Sequence, residues 1–457
     1  MVQLLLSLRE KENRRMPQNR DIVEIMRDAV WGIVLGCVAL IPTSLAYGQA
    51  PDSLRVDEVI RDVIRHNNRA AAARYMEIAA MAKVGPAGAW DDPMLMLGVA
   101  NLPTSFDFSM DPMTMKMIGL SQNIPYAGQR GLQAKAAMAE AEAATEDRHA
   151  MEIDLATTAR YAFADLFYRS RSLEDLTSQN DLLEDVVASA SAKLAANQTS
   201  QDEVLGAQAE QWRLQTQLLE AQQMVDEARY NLSILRGLDA TSEVPPLATP
   251  ASAELPPTPD TWLAAARQNY PPLQKLFRQS EAYGYSSAAA RRMSWPMLGL
   301  FVNYAFRSST EMEKRDNMIG FQANISLPLF AGRQQKQMAV SMDAMREGVN
   351  AEAIQKWREV EARLRLLHTA ALNLKQTIDI YRDRIIPAAE DAFQSALSGY
   401  ASNRVPYTNV LMFATGIYRD RLALNQVSNQ LARTMAEIDS YTVDPRSFAT
   451  NSTEDNQ

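Results

Sequence analysis

The sequence predicts a mainly α fold with a small β-barrel portion, built from a helix-strand-strand-long helix-turn-helix unit that occurs twice. Three observations predict it. Four sequence blocks recur in the same order, each copy holds a helical stretch too long for a compact domain, and a pair of short alternating segments precedes that stretch in both copies. A chain of 457 residues is also too long for one ordinary core. Its 47% hydrophobic and 22% charged content is that of a folded protein rather than a disordered one. The net charge of -9, with basic residues spread throughout, argues against nucleic acid as a partner, since phosphate binding needs a concentrated basic surface. Cys37 is the single cysteine, so no intramolecular disulfide can form. His66, His149 and His368 stand alone, without metal-ligand or triad spacing. No cofactor and no catalytic residue is expected.

Residues 1–50 read as a signal peptide: an apolar run over 29–46 follows Arg20 and Arg27 and precedes the small-residue pattern Ala46-Tyr-Gly48. Pro42 interrupts the run, which argues against a membrane anchor. Met16 and Met26 are alternative starts. Cys37 after Leu35-Gly36 resembles a lipoprotein box, but more apolar chain follows it than such a site should have.

The first unit spans residues 51–238 and the second 261–442, joined by a linker over 239–260 that holds six of the 21 prolines. A polar tail follows over 443–457. The recurring blocks are PMLMLGV (93–99) with PMLGLFV (296–302), MIGL (117–120) with MIGF (318–321), NIPYAG (123–128) with SLPLFAG (326–332), and LAANQTSQDEVL (194–205) with YASNRVPYTNVL (400–411). Their offset drifts only from 201 to 206, which implies duplication of one large unit. In the first unit, Val56 to Val84 is expected as one helix and strands at about 94–101 and 113–124. From Leu132 to Ala196 there is neither proline nor glycine, and apolar steps of three, four and seven form the seam of a packed helix pair. Some 65 helical residues reach about 100 Å. The second unit repeats the plan, with strands near 297–307 and 318–328, a long helix to Gly399 that Pro387 should bend, and a return helix from Thr408. Turns are expected at about 196–203 and 401–408. Asn197 and Asn403 stand where each chain reversal needs a residue that tolerates the left-handed conformation.

In the second strand pair, Phe321, Ala323 and Ile325 alternate with Gln322, Asn324 and Ser326, and Leu298, Leu300, Val302, Tyr304 and Phe306 alternate with a smaller or polar set. One apolar and one wet face over about ten residues suits an outer-membrane stave; a soluble hairpin packed on helices is the competing reading. Trp90 and Trp295, each before a strand, suit a membrane interface or plain packing. Four strands cannot close a barrel, so the chain must oligomerise; three copies give twelve strands.

With these residues in view, the sequence resembles the TolC family of outer-membrane efflux proteins. The duplication, the QNIPYAGQR entry to the first long helix (122–130), its counterpart ISLPLFAGR (325–333), and the Tyr400 to Leu411 turn carry the resemblance, which covers nearly the whole chain after residue 50. It implies a homotrimer whose twelve-stranded barrel in outer-membrane lipid continues into a long periplasmic α-helical barrel. It further implies passive export within a tripartite pump, with an inner-membrane RND transporter and a periplasmic adaptor (membrane fusion protein). Asn197, Gln198, Asn403 and Arg404 would dock the adaptor. The family often has glycine at the two asparagine positions, and Met412 replaces an aspartate of the multidrug archetype's entrance ring. Asp202, Glu203 and Arg404 are the nearest charged substitutes as a tunnel gate, against the bland reading of solvated turn charges.

Six of the 23 methionines fall between residues 94 and 117. Thioethers are soft ligands that suit Cu(I), which makes Met113, Met115 and Met117 candidate metal contacts. The stronger reading is packing, with these methionines facing lipid or a neighbour while Thr114 and Lys116 face the lumen. The segment is more similar to the heavy-metal CusC and CzcC branch than to the multidrug branch, which favours heavy-metal cations as cargo. A multidrug or type I secretion exit duct, and a soluble periplasmic coiled-coil scaffold, are the alternatives.

Overall fold

The structure, a computed structural model, describes residues 53–250, 254–309 and 314–450. The expected signal peptide lies outside them. The chain begins with α1 (Val56–His66), α2 (Asn68–Ala82) and α3 (Val84–Gly88), then β1 (Met94–Ala100) and β2 (Met115–Ile124). Next come α4 (Gln129–Ala195) and α5 (Gln201–Leu235). The second copy comprises α6 (Asp260–Asn269), α7 (Pro271–Arg292), β3 (Leu298–Arg307), β4 (Met318–Ile325), α8 (Gln335–Ile380), a π-helical turn (Tyr381–Ile385), α9 (Ile386–Ala401) and α10 (Tyr407–Thr442), with a last short helix, α11 (Ser447–Thr450).

The single helix expected from Val56 to Val84 is instead broken at Asn67. Its backbone is extended, and its side chain accepts from the Arg69 N–H at 2.9 Å, starting α2 as it ends α1. The second copy breaks at Tyr270, where Pro271 opens α7. α4 runs 67 residues, about 100 Å at 1.5 Å per residue. Pro387 does interrupt the second long helix, through the π-helical turn ahead of it. There the Ile386 N–H reaches the Tyr381 carbonyl five residues back, which accommodates the donor that the proline lacks.

Packing is strung along the helices rather than gathered in one core. Near one end, Val59, Val63, Leu155, Phe163 and Leu232 bury together, with Leu247 of the linker and Phe448 against them. The linker is pinned there: the Leu54 N–H donates to the Pro246 carbonyl, and the Ala248 N–H to the Leu54 carbonyl. The tail is also less polar in behaviour than its composition suggests, because Phe448 joins this cluster. A second cluster sits at the helix tips, and smaller ones join α6, α7, α8 and α10.

The strands form one antiparallel sheet in the order β1-β2-β3-β4. β2 starts at Met115 rather than 113, because Asp111 accepts from the Met113 N–H at 2.8 Å and Asn101 donates to the Met113 carbonyl, holding Met113 in the connecting loop. β4 ends at Ile325. Ser326 still donates to the Met297 carbonyl, but Pro328 has no N–H with which to continue the ladder.

Candidate functional site

Two regions matter for function: the paired helix tips and the sheet. At the first tip, Asn197 has φ +52°, its N–H donates to the Leu194 carbonyl (2.9 Å), and the Gln198 N–H reaches back to the Lys193 carbonyl (2.8 Å). The second tip repeats this pattern, with Asn403 at φ +57°, its N–H on the Tyr400 carbonyl (3.0 Å) and the Arg404 N–H on the Gly399 carbonyl (2.8 Å). Both are helix ends whose orphan carbonyls are satisfied by a six-to-one and a five-to-two hydrogen bond around one left-handed residue. Asparagine fills the position because its short polar side chain tolerates that conformation. At Gly399 a Cβ would stand 2.5 Å from Val405 Cγ2, so glycine there lets Val405 close the turn.

The two tips are tied to each other by a residue that the sequence reading did not single out. Lys193 donates through Nζ to the Tyr400 carbonyl and to Asn403 Oδ1 (2.8 Å), and the same ammonium lies 3.7 Å from the centre of the Tyr400 ring. A lysine in the last turn of a helix is unremarkable in sequence; only the fold brings it to a residue 207 positions away. Beneath it, Tyr400 and Tyr407 meet edge to face, 6.1 Å apart, within a cluster including Leu183, Phe393, Val410 and Ala414. Burial, with Tyr400 and the carboxylates of Glu210 and Glu203 nearby, pushes the Tyr407 hydroxyl up to about 12.

Among the described residues no hydrogen bond or ion pair joins the three expected gate residues to one another. Glu203 accepts from the Thr199 hydroxyl in its own turn, while Asp202 and Arg404 are exposed and make no ion pair among the described residues. Asn197 and Gln198 are likewise exposed at the tip. Met412 is exposed on α10.

In the sheet, register assigns the faces. Leu95, Leu97 and Val99 of β1 pair with Leu120, Ile118 and Lys116 of β2, and those pair with Val302, Tyr304 and Phe306 of β3. Phe321 and Ile319 of β4 continue the same rungs. This face is apolar apart from Gln122 and Lys116, the latter near the loop end of β2 and reaching over the Phe108 ring at 4.6 Å. Its aliphatic and aromatic side chains are exposed in the single chain except Ile124 and Leu298, which are half-buried. Met115 and Met117 lie on the opposite face, with Ser121, Asn123, Asn303, Gln322 and Asn324. Period-two alternation places Met115 and Met117 with this more polar set, which also includes Phe301, and Lys116 with the apolar one. Met113, in the loop, belongs to neither face. Trp90 and Trp295 are half-exposed before their strands, and each is also packed, Trp90 under the Arg130 guanidinium (3.7 Å) and Trp295 stacked on Tyr126 (5.0 Å).

No protein-family model and no curated protein matches the sequence. Solved structures do match. The outer membrane protein VceC from Vibrio cholerae superposes with a TM-score of 0.69 at 16% identity, covering 85% of this chain and 95% of that one. CusC, whose structures concern folding and transmembrane channel formation, matches with a TM-score of 0.70 at 15% identity, covering 85% and 91%. This chain has the fold of the TolC-family outer-membrane channels. A third such channel, MtrE from Neisseria gonorrhoeae in its open state, gives 0.70 at 15% identity over 85% and 88%. At these identities the channel fold is what is shared, and these solved structures are channels rather than enzymes. Among the described residues, no helix is long and apolar enough to cross a membrane, and no group of three or more His, Cys, Asp or Glu side chains could hold a metal ion.

Proposed function

We propose that the chain is the outer-membrane exit duct of a tripartite efflux system. Three copies would close their sheets into a twelve-stranded barrel continuous with a periplasmic helical barrel. The duct would passively conduct cargo, heavy-metal cations in our reading, delivered by an inner-membrane RND transporter through a periplasmic adaptor. The observation that carries this is the sheet: its apolar face is exposed across all four strands, and both β1 and β4 are edge strands. An open edge cannot stand in lipid, so such a sheet is completed by further copies. The family resemblance and the fold shared with CusC support the channel role, and the resemblance to the metal branch favours metal cargo. The tips, preformed and exposed, suit docking of an adaptor through Asn197, Gln198, Asn403 and Arg404. We place the gate at Asp202, Glu203 and Arg404, to be completed between copies.

Deleting the gene and scoring tolerance to copper, silver, zinc, cobalt and drugs tests the cargo. Loss of metal tolerance is expected; unchanged metal tolerance beside lost drug tolerance would overturn metal cargo in favour of the multidrug duct. Asn403→Pro, which cannot hold φ +57°, should abolish export while leaving barrel insertion intact. Full export by that variant would remove the second tip from the docking role.

A further inference from the structure

We infer that the end of the sheet nearest the helices binds the phosphate headgroups of anionic phospholipid, phosphatidylglycerol or cardiolipin, through Arg130, Arg292, Arg333 and Lys336. The inference rests on the channel reading only in taking the apolar face of the sheet as the part that lies in lipid. The two ends of the sheet differ in charge. The stretches that join helices to strands, residues 83–93, 125–135, 291–297 and 326–336, carry seven basic residues against two acidic ones, in a chain whose net charge is -9. The loops at the other end, 101–114 and 308–317, carry five acidic residues against two basic ones. Both sequence copies contribute to the basic end, since the recurring block ends on Arg130 as QNIPYAGQR and on Arg333 as ISLPLFAGR. A basic cluster at one edge of an apolar surface is complementary to anionic headgroups.

The charges are left open to a ligand. Arg130 donates to the Gly88 carbonyl and Arg292 to the Ala127 carbonyl, each at 3.4 Å. A guanidinium has five N–H groups, so these long bonds leave donors free in both. Arg333 and Lys336 are exposed and make no side-chain hydrogen bond or ion pair among the described residues. Asp91 and Asp92, the two acidic residues of these stretches, form no ion pair among the described residues either; Gln122 holds Asp91 by its carbonyl, at 2.8 Å. Arg291 is already paired with Asp343 at 2.6 Å and is therefore left out.

Apolar anchors accompany the cations, which favours a lipid over a free anion. Leu327, Leu329 and Phe330, just ahead of Arg333, are 68%, 81% and 70% exposed. Backbone bonds hold them in place, from the Leu329 N–H to the Leu327 carbonyl (2.8 Å) and from the Arg333 N–H to the Phe330 carbonyl (2.9 Å). Leu327 also continues the alternate set of Phe321, Ala323 and Ile325 on the apolar face. Trp90, under Arg130, and Trp295 flank the same end, and such amphipathic rings prefer headgroup depth. An arginine at that depth meets a phosphate through two parallel hydrogen bonds.

The test is titration of the purified full-length protein, in a neutral detergent, with phosphatidylglycerol and with phosphatidylcholine of the same chains, counting retained lipid by native mass spectrometry. Wild type should retain phosphatidylglycerol in a saturable step at least about tenfold more tightly than phosphatidylcholine, and the difference should shrink as salt is raised. The double variant R333Q/K336Q, which breaks no internal contact, should bind phosphatidylglycerol at least about tenfold more weakly, at roughly fivefold for each basic residue near an anionic surface. Its phosphatidylcholine binding should not change. Arg292→Gln should show the same direction, and Lys116→Gln at the other end of the sheet should leave both lipids unaffected. Equal affinity for the two lipids, or unchanged phosphatidylglycerol affinity in R333Q/K336Q, would overturn the site. Loss of oligomer mass in R333Q/K336Q with the lipid preference kept would overturn it too, making this end a contact between copies. Bilayer conductance of the same samples separates this inference from the channel reading. A conducting protein without lipid preference loses the site and keeps the channel; a non-conducting one whose preference depends on Arg333 and Lys336 keeps the site and loses the channel.

Discussion

The sheet and the helix tips are opposite solutions to chain reversal and burial. Along the four strands the only fully buried positions are Gly119 and Ala305, both small, whereas the tips bury Leu183, Phe393, Tyr400, Tyr407 and Val410 within a single chain. Backbone hydrogen bonds are finished at the tips by two left-handed asparagines; at the sheet they run out at β1 and β4. The tips are thus preorganised in the protomer, whereas the sheet leaves its apolar face and both of its edges open. An apolar surface this continuous signals a partner or a membrane.

Changes that break the comparison should differ most at the apolar face. Val302→Arg places a charge mid-strand among Leu120, Phe321 and Tyr304, and should lower insertion by about 2–4 kcal/mol per chain, whereas Gln322→Arg on the other face should be tolerated. Yield of detergent-extracted oligomer measures both. At the tips, Leu183→Ala removes a side chain that is 1% exposed and should cost about 2–5 kcal/mol of helix stability, read by thermal unfolding in detergent.

Smaller effects sharpen the picture of the tips. Lys193→Met removes a charged donor shared by the Tyr400 carbonyl and Asn403, worth about 1.5–3 kcal/mol at most for such a bond. Faster hydrogen exchange confined to residues 398–407, with helix content unchanged, is the expected readout. For pH, the sign follows from Tyr407. Its hydroxyl is raised from an unfolded value near 10 to about 12, so its contribution is complete below pH ~10 and is lost as pH climbs toward 12. Exchange at the tip should therefore accelerate over that window, and Tyr407→Phe should flatten the response. The smallest effect is Asn403→Gly, which keeps the left-handed turn and should change stability by under about 1 kcal/mol.

Much of this was legible in the sequence because it depends on local chemistry. The length of α4 follows from the lack of proline and glycine from Leu132 onward, and the left-handed turns follow from asparagine at corresponding places. Strand alternation was readable too, but which residues of different strands share a face was not. Met115 and Met117 are apolar, yet Leu120, Ile118 and their cross-strand partners make the larger apolar set on the other face, a grouping that only register shows. The break at Asn67 escaped the reading because an alanine-rich stretch masks a single capping residue. Long-range ties such as Lys193 to Tyr400 leave no periodic trace at all.

The most direct test of the central claim is the state of the full-length protein in its membrane: fractionation, followed by oligomer mass in detergent and conductance in a planar bilayer. The account predicts an outer-membrane protein, released only by detergent, that runs as a trimer and conducts ions. A monomer recovered wholly in the soluble periplasmic fraction, without conductance, would contradict it.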